Sequence, residues 1–416
     1  MYERLLLAEI VIVDLTLANP NVFYELGIRH AARPWATIMI FNQDASLPFD
    51  VRPLRGLPYR LNEDGRIDDA GIDEFRKRLT EKLVEAQKEE ICDSPLFQLI
   101  PQFPGIQLPH EVTESFRDRV KYIEATRFDI ERARSLGDLN ELMEIQNKLN
   151  PFNAAPPELL IDLLLAFRDL QAWGNMIQLC RKFPKSLREH RTVQEQLCLA
   201  LNRRNGPGDR SEAIYILKRV IDVYGPNPET CGILARVYKD MYYEAQNMQK
   251  SPQAIGFLNE AIMWYRQGFE ADPRDYYPGI NLAILLVEKS DAEALNELKT
   301  LIPVLHFAVG RRGGLNSRDY WDIATVLHLA VLEQDWSLAD RAVHRLCAVV
   351  THSWIIETTL SDLHRLEQAM IRIGRDTIQI GRVISKLAEF LADLQSRLNF
   401  RDTIRHCTAR PLIGRS

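Results

Sequence analysis

The sequence predicts an α/β plus all-α protein, a small parallel-sheet unit followed by a long α-solenoid. Three observations carry this reading. Strand and helix signals alternate through residues 1–92, helical periodicity continues without strand signals from about residue 113 onward, and Pro95, Pro101, Pro104 and Pro109 crowd the stretch between them.

At 416 residues the chain exceeds what one hydrophobic core usually supports, so two or three structural units are expected. Hydrophobic residues make up 46% and charged residues 26%, which places it among folded globular chains rather than disordered ones. A net charge of -5 with both signs interspersed gives no pull toward nucleic acid or an anionic membrane, and neither is expected as a partner. The cysteines are scattered without a CxxC pair or His/Cys cluster, so no metal, no cofactor and no disulfide framework is expected; a reducing, cytoplasmic setting follows. No apolar run reaches membrane-spanning length. The apolar start carries Glu3, Arg4, Glu9 and Asp14, which marks it as folded structure rather than a signal peptide.

Residues 9–15 (EIVIVDL) form a β-branched run of the kind a strand buried on both faces shows, ending near Asp14. Asn19, Pro20 and Asn21 make a turn, residues 22–32 take helical spacing, and residues 36–41 (ATIMIF) supply a second strand after Pro34. This βαβ unit implies a parallel sheet, part of a flavodoxin-like domain. Residues 47–67 read as loop with one short strand, and 68–88 as an amphipathic helix with Phe75, Leu79, Leu83 and Ala86 on one side. The domain is placed at residues 1–92 and a Pro-rich linker at 93–112.

Residues 113–370 then read as helix after helix. Segments are expected at 113–136, 138–149, 157–171, 175–183, 191–202, 211–223, 228–245, 251–271, 277–289, 291–307, 319–334, 337–350 and 356–373, with connections short enough for antiparallel neighbours. The period is uneven, because residues 244–253 insert extra polar positions. A last amphipathic helix at 374–400 either caps the solenoid or joins a second chain in a coiled coil, leaving a homo-oligomer open; with the tail it makes up residues 371–416.

Two resemblances attach to quoted segments. CGILARVYKDMYYEA and AIMWYRQGFEADPRDYYPGINLAILLV within residues 231–287, with RDYWDIAT at 318–325, resemble the tetratricopeptide-like MAP-kinase-kinase-kinase TRAF-binding domain, the central regulatory region of apoptosis signal-regulating kinases. That resemblance implies a helical scaffold that engages protein partners. The kinase signatures, a glycine-rich loop with HRD and DFG, do not occur, and no kinase activity is expected of this sequence. AEIVIVDLTLANPNVFYELGIRHA at residues 8–31 resembles the nucleoside deoxyribosyltransferase-like branch of the TIR-related α/β domains. It implies that Glu25 is the nucleophile toward a sugar C1′, that Asp14 assists, and that Asn19, Asn21 and Tyr24 line the same crevice. In that group a strand and substrate loop come before the segment that here starts at Met1, so both would be missing.

The physical placement agrees with the carboxylate pair. In a parallel sheet the crevice lies beyond the strand carboxyl ends, where Asp14 falls and the next helix begins, and two carboxylates there can divide the labour of N-glycosidic cleavage. The competing expectation is structural: an Asp at a strand end caps the turn, and a Glu early in a helix answers the helix dipole. Among other candidates, Arg203, Arg204 and Arg210, and Arg311 with Arg312, read as solvated loops. His30 reads as a partly buried helix histidine with a backbone partner, and Tyr238, Tyr242, Tyr243, Trp264, Tyr265 and Phe269 as solenoid core or a partner groove. The function expected is a regulatory scaffold binding a protein partner through its repeats, with an N-terminal domain sensing a nucleoside or nucleotide. The alternative is an N-glycosidase or deoxyribosyltransferase-like hydrolase acting on nucleotides or NAD.

Overall fold

The computed structural model describes residues 2–45, 47–48, 56–62, 69–100, 102–104, 110–350 and 353–408, with backbone alone at 2–3, 69–70, 110–117 and 397–408. It divides into two compact units, Met1–Asp129 and Ile130–Ser416.

The first unit contains α1 (Tyr2–Leu7), β1 (Val11–Asp14), α2 (Pro20–Ala32), β2 (Thr37–Asn42), β3 (Leu57–Tyr59), α3 (Asp69–Lys88) and α4 (Pro95–Leu99). Its sheet runs in the order β1-β2-β3, parallel throughout, with Val11 opposite Thr37 and Ile40 opposite Leu57. Val13, Leu15, Leu26 and Met39 form the core beneath it, with Val22, Phe23 and Phe41 packed against them. A short helix, α1, stands where the sequence gives only a folded lead-in. It is held from a distance: Arg29 donates to the carbonyls of Leu5 (2.9 Å), Ala8 (2.8 Å) and Glu9 (3.2 Å), and Arg33 to that of Leu6 (2.8 Å), satisfying chain-end acceptors the helix cannot.

Part of the stretch expected as linker is ordered on this unit. The Asp93 and Ser94 amides donate to the Pro34 carbonyl, the Asp93 carboxylate accepts from the Thr37 amide at 2.7 Å, and the Ser94 hydroxyl donates to the His30 carbonyl at 2.7 Å. The remainder includes residue 101 and residues 105–109, which lie outside the described residues.

The second unit is a helical array. It takes in the end of α5 (His110–Leu136), then α6 (Leu139–Lys148), α7 (Pro157–Asp169), α8 (Trp173–Lys182), α9 (Lys185–Arg188), α10 (Arg191–Arg204), α11 (Asp209–Tyr224), α12 (Pro228–Asn247), α13 (Ser251–Ala271), α14 (Tyr276–Lys289) and α15 (Ala292–Arg311). A 3-10 turn (Gly314–Asn316) leads to α16 (Tyr320–Glu333), α17 (Trp336–Val349), α18 (Ser353–Arg372) and α19 (Ile378–Thr408). The helix starts are chemically marked: Asp138, Asn227, Asp275, Asp291, Asp319 and Asp335 each accept an amide of the first turn through the side chain.

Successive helices pack as hairpins, and α10, α12, α14 and α16 also touch one another in order, the arrangement of a solenoid with one inner row. Left-handed residues mark the turns inside the hairpins. Gly137, Gln171 and Asn205 recur about 34 residues apart, the tetratricopeptide period, and the later intervals to Gln249, Ser290 and Gln334 are longer. α19 packs on α17 and α18 and buries Ile380, Val383, Ile384 and Leu387. No helix among the described residues is long and apolar enough to cross a membrane.

Candidate functional site

At the carboxyl edge of the sheet, Asp14 is the centre of a small hydrogen-bonded knot. Its carboxylate accepts from the Thr16 amide (2.9 Å), the Thr16 hydroxyl (2.6 Å) and the Tyr59 hydroxyl (2.8 Å), while the Thr16 hydroxyl also accepts from the Asn42 amide (2.9 Å). Asp14, Asn42 and Tyr59 end β1, β2 and β3 respectively, so the knot ties the three strand ends together. Burial, together with the nearby Asp14 charge, raises the Tyr59 phenol above its ordinary value, so it stays a donor at neutral pH.

The other sequence-derived candidates occupy varied positions. Asn19 caps α2, its side chain accepting from the Asn21 amide at 2.9 Å; Asn19, Asn21 and Tyr24 are all exposed. Glu25 is half-buried on α2 and makes no hydrogen bond or ion pair among the described residues. Near Asp14, the Asn42 side-chain oxygen is buried without a partner. Thr16, Asn42 and Tyr59 were not singled out from sequence; Tyr59 lies in the proline-rich run read as loop with one short strand, where β3 stands.

His30 departs from expectation. It is buried, its Nε2 finds no partner, and burial together with the Arg29 charge pushes its pKa down to about 4, so it is neutral at physiological pH.

In the helical array three of the arginines expected in solvated loops, Arg204, Arg210 and Arg312, are anchors instead, while Arg203 and Arg311 are exposed as expected. Arg204 lies in α10 and grips Asp209 through two hydrogen bonds at 2.8 and 2.6 Å; Arg210 in α11 reaches Glu244 on α12 at 2.5 and 3.0 Å. Arg312 donates to Asp322 at 2.9 Å. That carboxylate, 2% exposed, also accepts from Tyr276 (2.5 Å) and Ser317 (2.6 Å), which organises the glycine-rich turn between α15 and α16. A run of basic residues looks the same in sequence whether solvated or paired, because their partners lie on other helices. The aromatic group is mostly core: Tyr238, Tyr242, Tyr265 and Phe269 are buried, with Tyr243 and Trp264 partly so.

A buried polar network joins the inner helices. Lys239, fully buried on α12, donates to Asn281 on α14 (2.9 Å) and pairs with Asp362 on α18 (3.4 Å). Arg365 lies 3.5 Å from Asp362 and 3.6 Å above the Tyr243 ring, and Tyr243 donates to Glu288 at 2.7 Å. Burial works against ionisation of Asp362, but Lys239, His328, Arg236 and Arg365 outweigh it and hold the carboxyl below its usual range.

Beside this network opens a cavity of about 1110 Å³, lined from α5, α7, α8, α10, α12 and α18. Its cations are Arg134, Arg168, Arg203, Arg236 and Arg365, and Trp173 and Trp354 add aromatic surface. Among the described residues, no group of three or more His, Cys, Asp and Glu gathers to hold a metal.

The sequence model of the MAP3K TRAFs-binding domain matches residues 22–380. Similar proteins include Mitogen-activated protein kinase kinase kinase 15 of Mus musculus, 25% identical over 382 residues that span 86% of this chain and 28% of that protein. Mitogen-activated protein kinase kinase kinase 6 of Homo sapiens is 26% identical over 384 residues, 85% of this chain and 28% of the other. The nsy-1 kinase kinase kinase of Caenorhabditis elegans is 29% identical over 283 residues, 64% and 18% respectively. The chain thus spans little more than a quarter of the first two relatives' length. Among solved structures, a monomeric IFIT1 mutant with Gppp-AAAA aligns over 80% of this chain and 83% of its own, at 14% identity and a TM-score of 0.34.

Proposed function

This chain belongs to the MAP3K TRAFs-binding domain family, and on that premise we propose that it is a cytoplasmic signalling scaffold whose helical array docks protein partners, TRAF proteins first among them. The observation that carries the reading is the extent of the match. Residues 22–380 take in the array from α5 to the start of α19, so the shared feature is a whole binding framework rather than one motif. A solenoid of this kind presents an inner helix row to a partner, and the cavity beside Lys239 and Asp362 opens there. The test is surface plasmon resonance with the full chain immobilised and a panel of purified TRAF proteins in solution. Saturable binding by at least one supports the scaffold; a panel that binds no better than an unrelated protein removes it.

A second reading, a nucleoside or nucleotide sensed by the N-terminal unit, is favoured by two groups without a partner among the described residues: the half-buried Glu25 and the buried Asn42 oxygen. Ribose hydroxyls would supply the donors both lack. If chemistry follows, Glu25 is the nucleophile and Asp14 assists in N-glycosidic cleavage, with Asn19, Asn21 and Tyr24 around the ligand. Asp14 would have to exchange some of its three hydrogen bonds to take part. Calorimetric titration with nucleosides, nucleotides and NAD tests the binding, and turnover of the same compounds by wild type and Glu25→Ala tests the chemistry. Equal turnover in both, or none in either, excludes the catalytic role.

A further inference from the structure

Among the described residues, one cation of the cavity in the helical array has no hydrogen-bonded or ion-paired partner. Arg134 pairs with Asp169 and with Glu131 (3.2 Å), Arg168 with Asp169 (3.2 Å), Arg236 with Asp240 (2.9 Å) and Arg365 with Asp362 (3.5 Å). Arg203, on α10, makes no hydrogen bond or ion pair among the described residues, although it lines the same wall. Its side chain is exposed at the wall, yet partial burial and the charge of neighbouring Arg236 lower its pKa against the pull of Asp240. A guanidinium in that position is a donor fork awaiting an oxyanion, since its planar geometry matches a carboxylate through two parallel bonds.

We propose that this cavity receives an acidic segment of a partner polypeptide, with a side-chain carboxylate seated on Arg203 and Arg236. The proposal rests on the scaffold reading and assigns it a recognition site. Size and charge both select this occupant. A volume of about 1110 Å³ lies at or beyond the upper end for small-molecule pockets and leaves room for several residues of extended chain. The wall is of mixed sign, because Glu131, Asp169, Glu357 and Asp362 stand among the arginines. Concentrated charge such as a triphosphate would face those four carboxylates, whereas single carboxylates spaced along a peptide can meet Arg203 and leave the acidic positions to backbone amides and hydroxyls. Trp354, 45% exposed, offers a ring for an adjacent apolar or aromatic side chain.

The experiment is fluorescence anisotropy of the full chain with a fluorescein-labelled decapeptide of alternating glutamate and serine, beside its lysine counterpart, with ATP as competitor. Two variants separate the site from general charge: Arg203→Gln within the cavity, and Arg219→Gln, an exposed arginine on α11 that does not line it. Because Arg203 makes no hydrogen bond or ion pair among the described residues, its substitution should leave the thermal midpoint unchanged, which circular dichroism checks. The expected result is saturable binding of the glutamate peptide, weakened by added salt, reduced about tenfold or more (about 1.4 kcal/mol) in Arg203→Gln and unaltered in Arg219→Gln. Binding that Arg203→Gln leaves unchanged, equal loss in both variants, comparable binding of the lysine peptide, or displacement by ATP at higher affinity than the peptide's own each overturns the proposal. TRAF binding measured on the same wild-type sample keeps the two readings apart. TRAF binding without any peptide binding refutes the cavity site and leaves the scaffold standing, whereas peptide binding without TRAF binding does the reverse.

Discussion

Replacing Asp93 with asparagine should make the N-terminal unit more stable at neutral pH. The carboxyl is half-buried; burial pushes its pKa up to about 6, against the opposing pull of the Thr37 amide and Arg29. One of its oxygens accepts from Thr37 at 2.7 Å and the other is buried with no partner among the described residues. An unfolded aspartate titrates near pH 4, so the shift is about two units, or about 3 kcal/mol at 1.36 kcal/mol per unit. Below about pH 4 both states are protonated and the group contributes nothing. As pH rises from 4 to 6 the folded state keeps a proton that the unfolded state has lost, so stability falls, and above 6 the full penalty remains. Asparagine keeps an acceptor for Thr37 without the charge, and the expected gain at pH 7 is about 1–3 kcal/mol, vanishing below about pH 4. His30 gives the profile a second feature. Its depressed pKa, about 4, contributes stability that is present above its unfolded value near 6.5 and is lost as pH falls toward 4. In the wild type the two slopes oppose one another between pH 4 and 6; in Asp93→Asn the His30 slope stands alone, at about 1.4 kcal/mol per pH unit. Hydrogen exchange of the β2 amides, corrected for intrinsic rates, reads both quantities locally. A variant less stable than wild type at pH 7, or one with the same profile between pH 4 and 6, refutes the reasoning.

In the array, Lys239→Met should cost about 3 kcal/mol by urea denaturation, the low end for breaking a buried pair because Arg365 stays beside Asp362; the double variant with Asp362→Leu should recover much of that loss, and additive losses would contradict the pairing. Gly279→Ala and Gly256→Ala should shift stability in opposite directions. A Cβ at 279 would lie 2.6–2.8 Å from Leu305 and Phe269, and the overpacking, about 1–3 kcal/mol, outweighs the propensity gain of about 1 kcal/mol; at 256 nothing lies within 4 Å and the gain stands alone. Asp322→Ala leaves Tyr276 and Arg312 without their acceptor and should destabilise by about 3 kcal/mol in thermal unfolding, a midpoint shift too small to resolve being the contrary result.

What could be read in the sequence was whatever is encoded locally. Most helices of the array begin and end within a few residues of expectation because Asp291, Asp319 and Asp335 cap their own first turns, and because hydrophobic spacing needs no distant partner; the short α9 was not expected, and α19 starts and ends later than 374–400. The parallel sheet followed from two apolar runs and a helix between them. Features decided by remote partners were hidden. The helix α1 depends on Arg29 and Arg33, whose guanidiniums reach back to its carbonyls from α2 and its end. Arg204, Arg210 and Arg312 sit near glycines, which suggested loops, while their acceptors Asp209, Glu244 and Asp322 give no periodic signal. Asp14 shows the limit most plainly. A strand-end carboxylate has the same local signature whether it assists at a sugar or ties strand ends together, and Tyr59, the donor that ties it here, lies far along the chain.

The same remoteness explains why charge is buried in the array at all. Lys239, Asn281 and Asp362 belong to α12, α14 and α18, helices that are not sequence neighbours and that an apolar contact would hold in any of several registers. An ion pair with its hydrogen-bond partner tolerates one register, so the network fixes where α18 stands against α12 at some cost in stability. Asp362 is part of the cavity wall as well as of that pair, and Arg365 is tied to the wall through both Asp362 and Tyr243. The shape of the cavity is therefore linked to a pairing that a ligand never touches. It follows that Lys239→Met, though it removes no cavity-lining residue, should weaken the glutamate peptide's binding along with stability, while Gly279→Ala should lower stability without that effect.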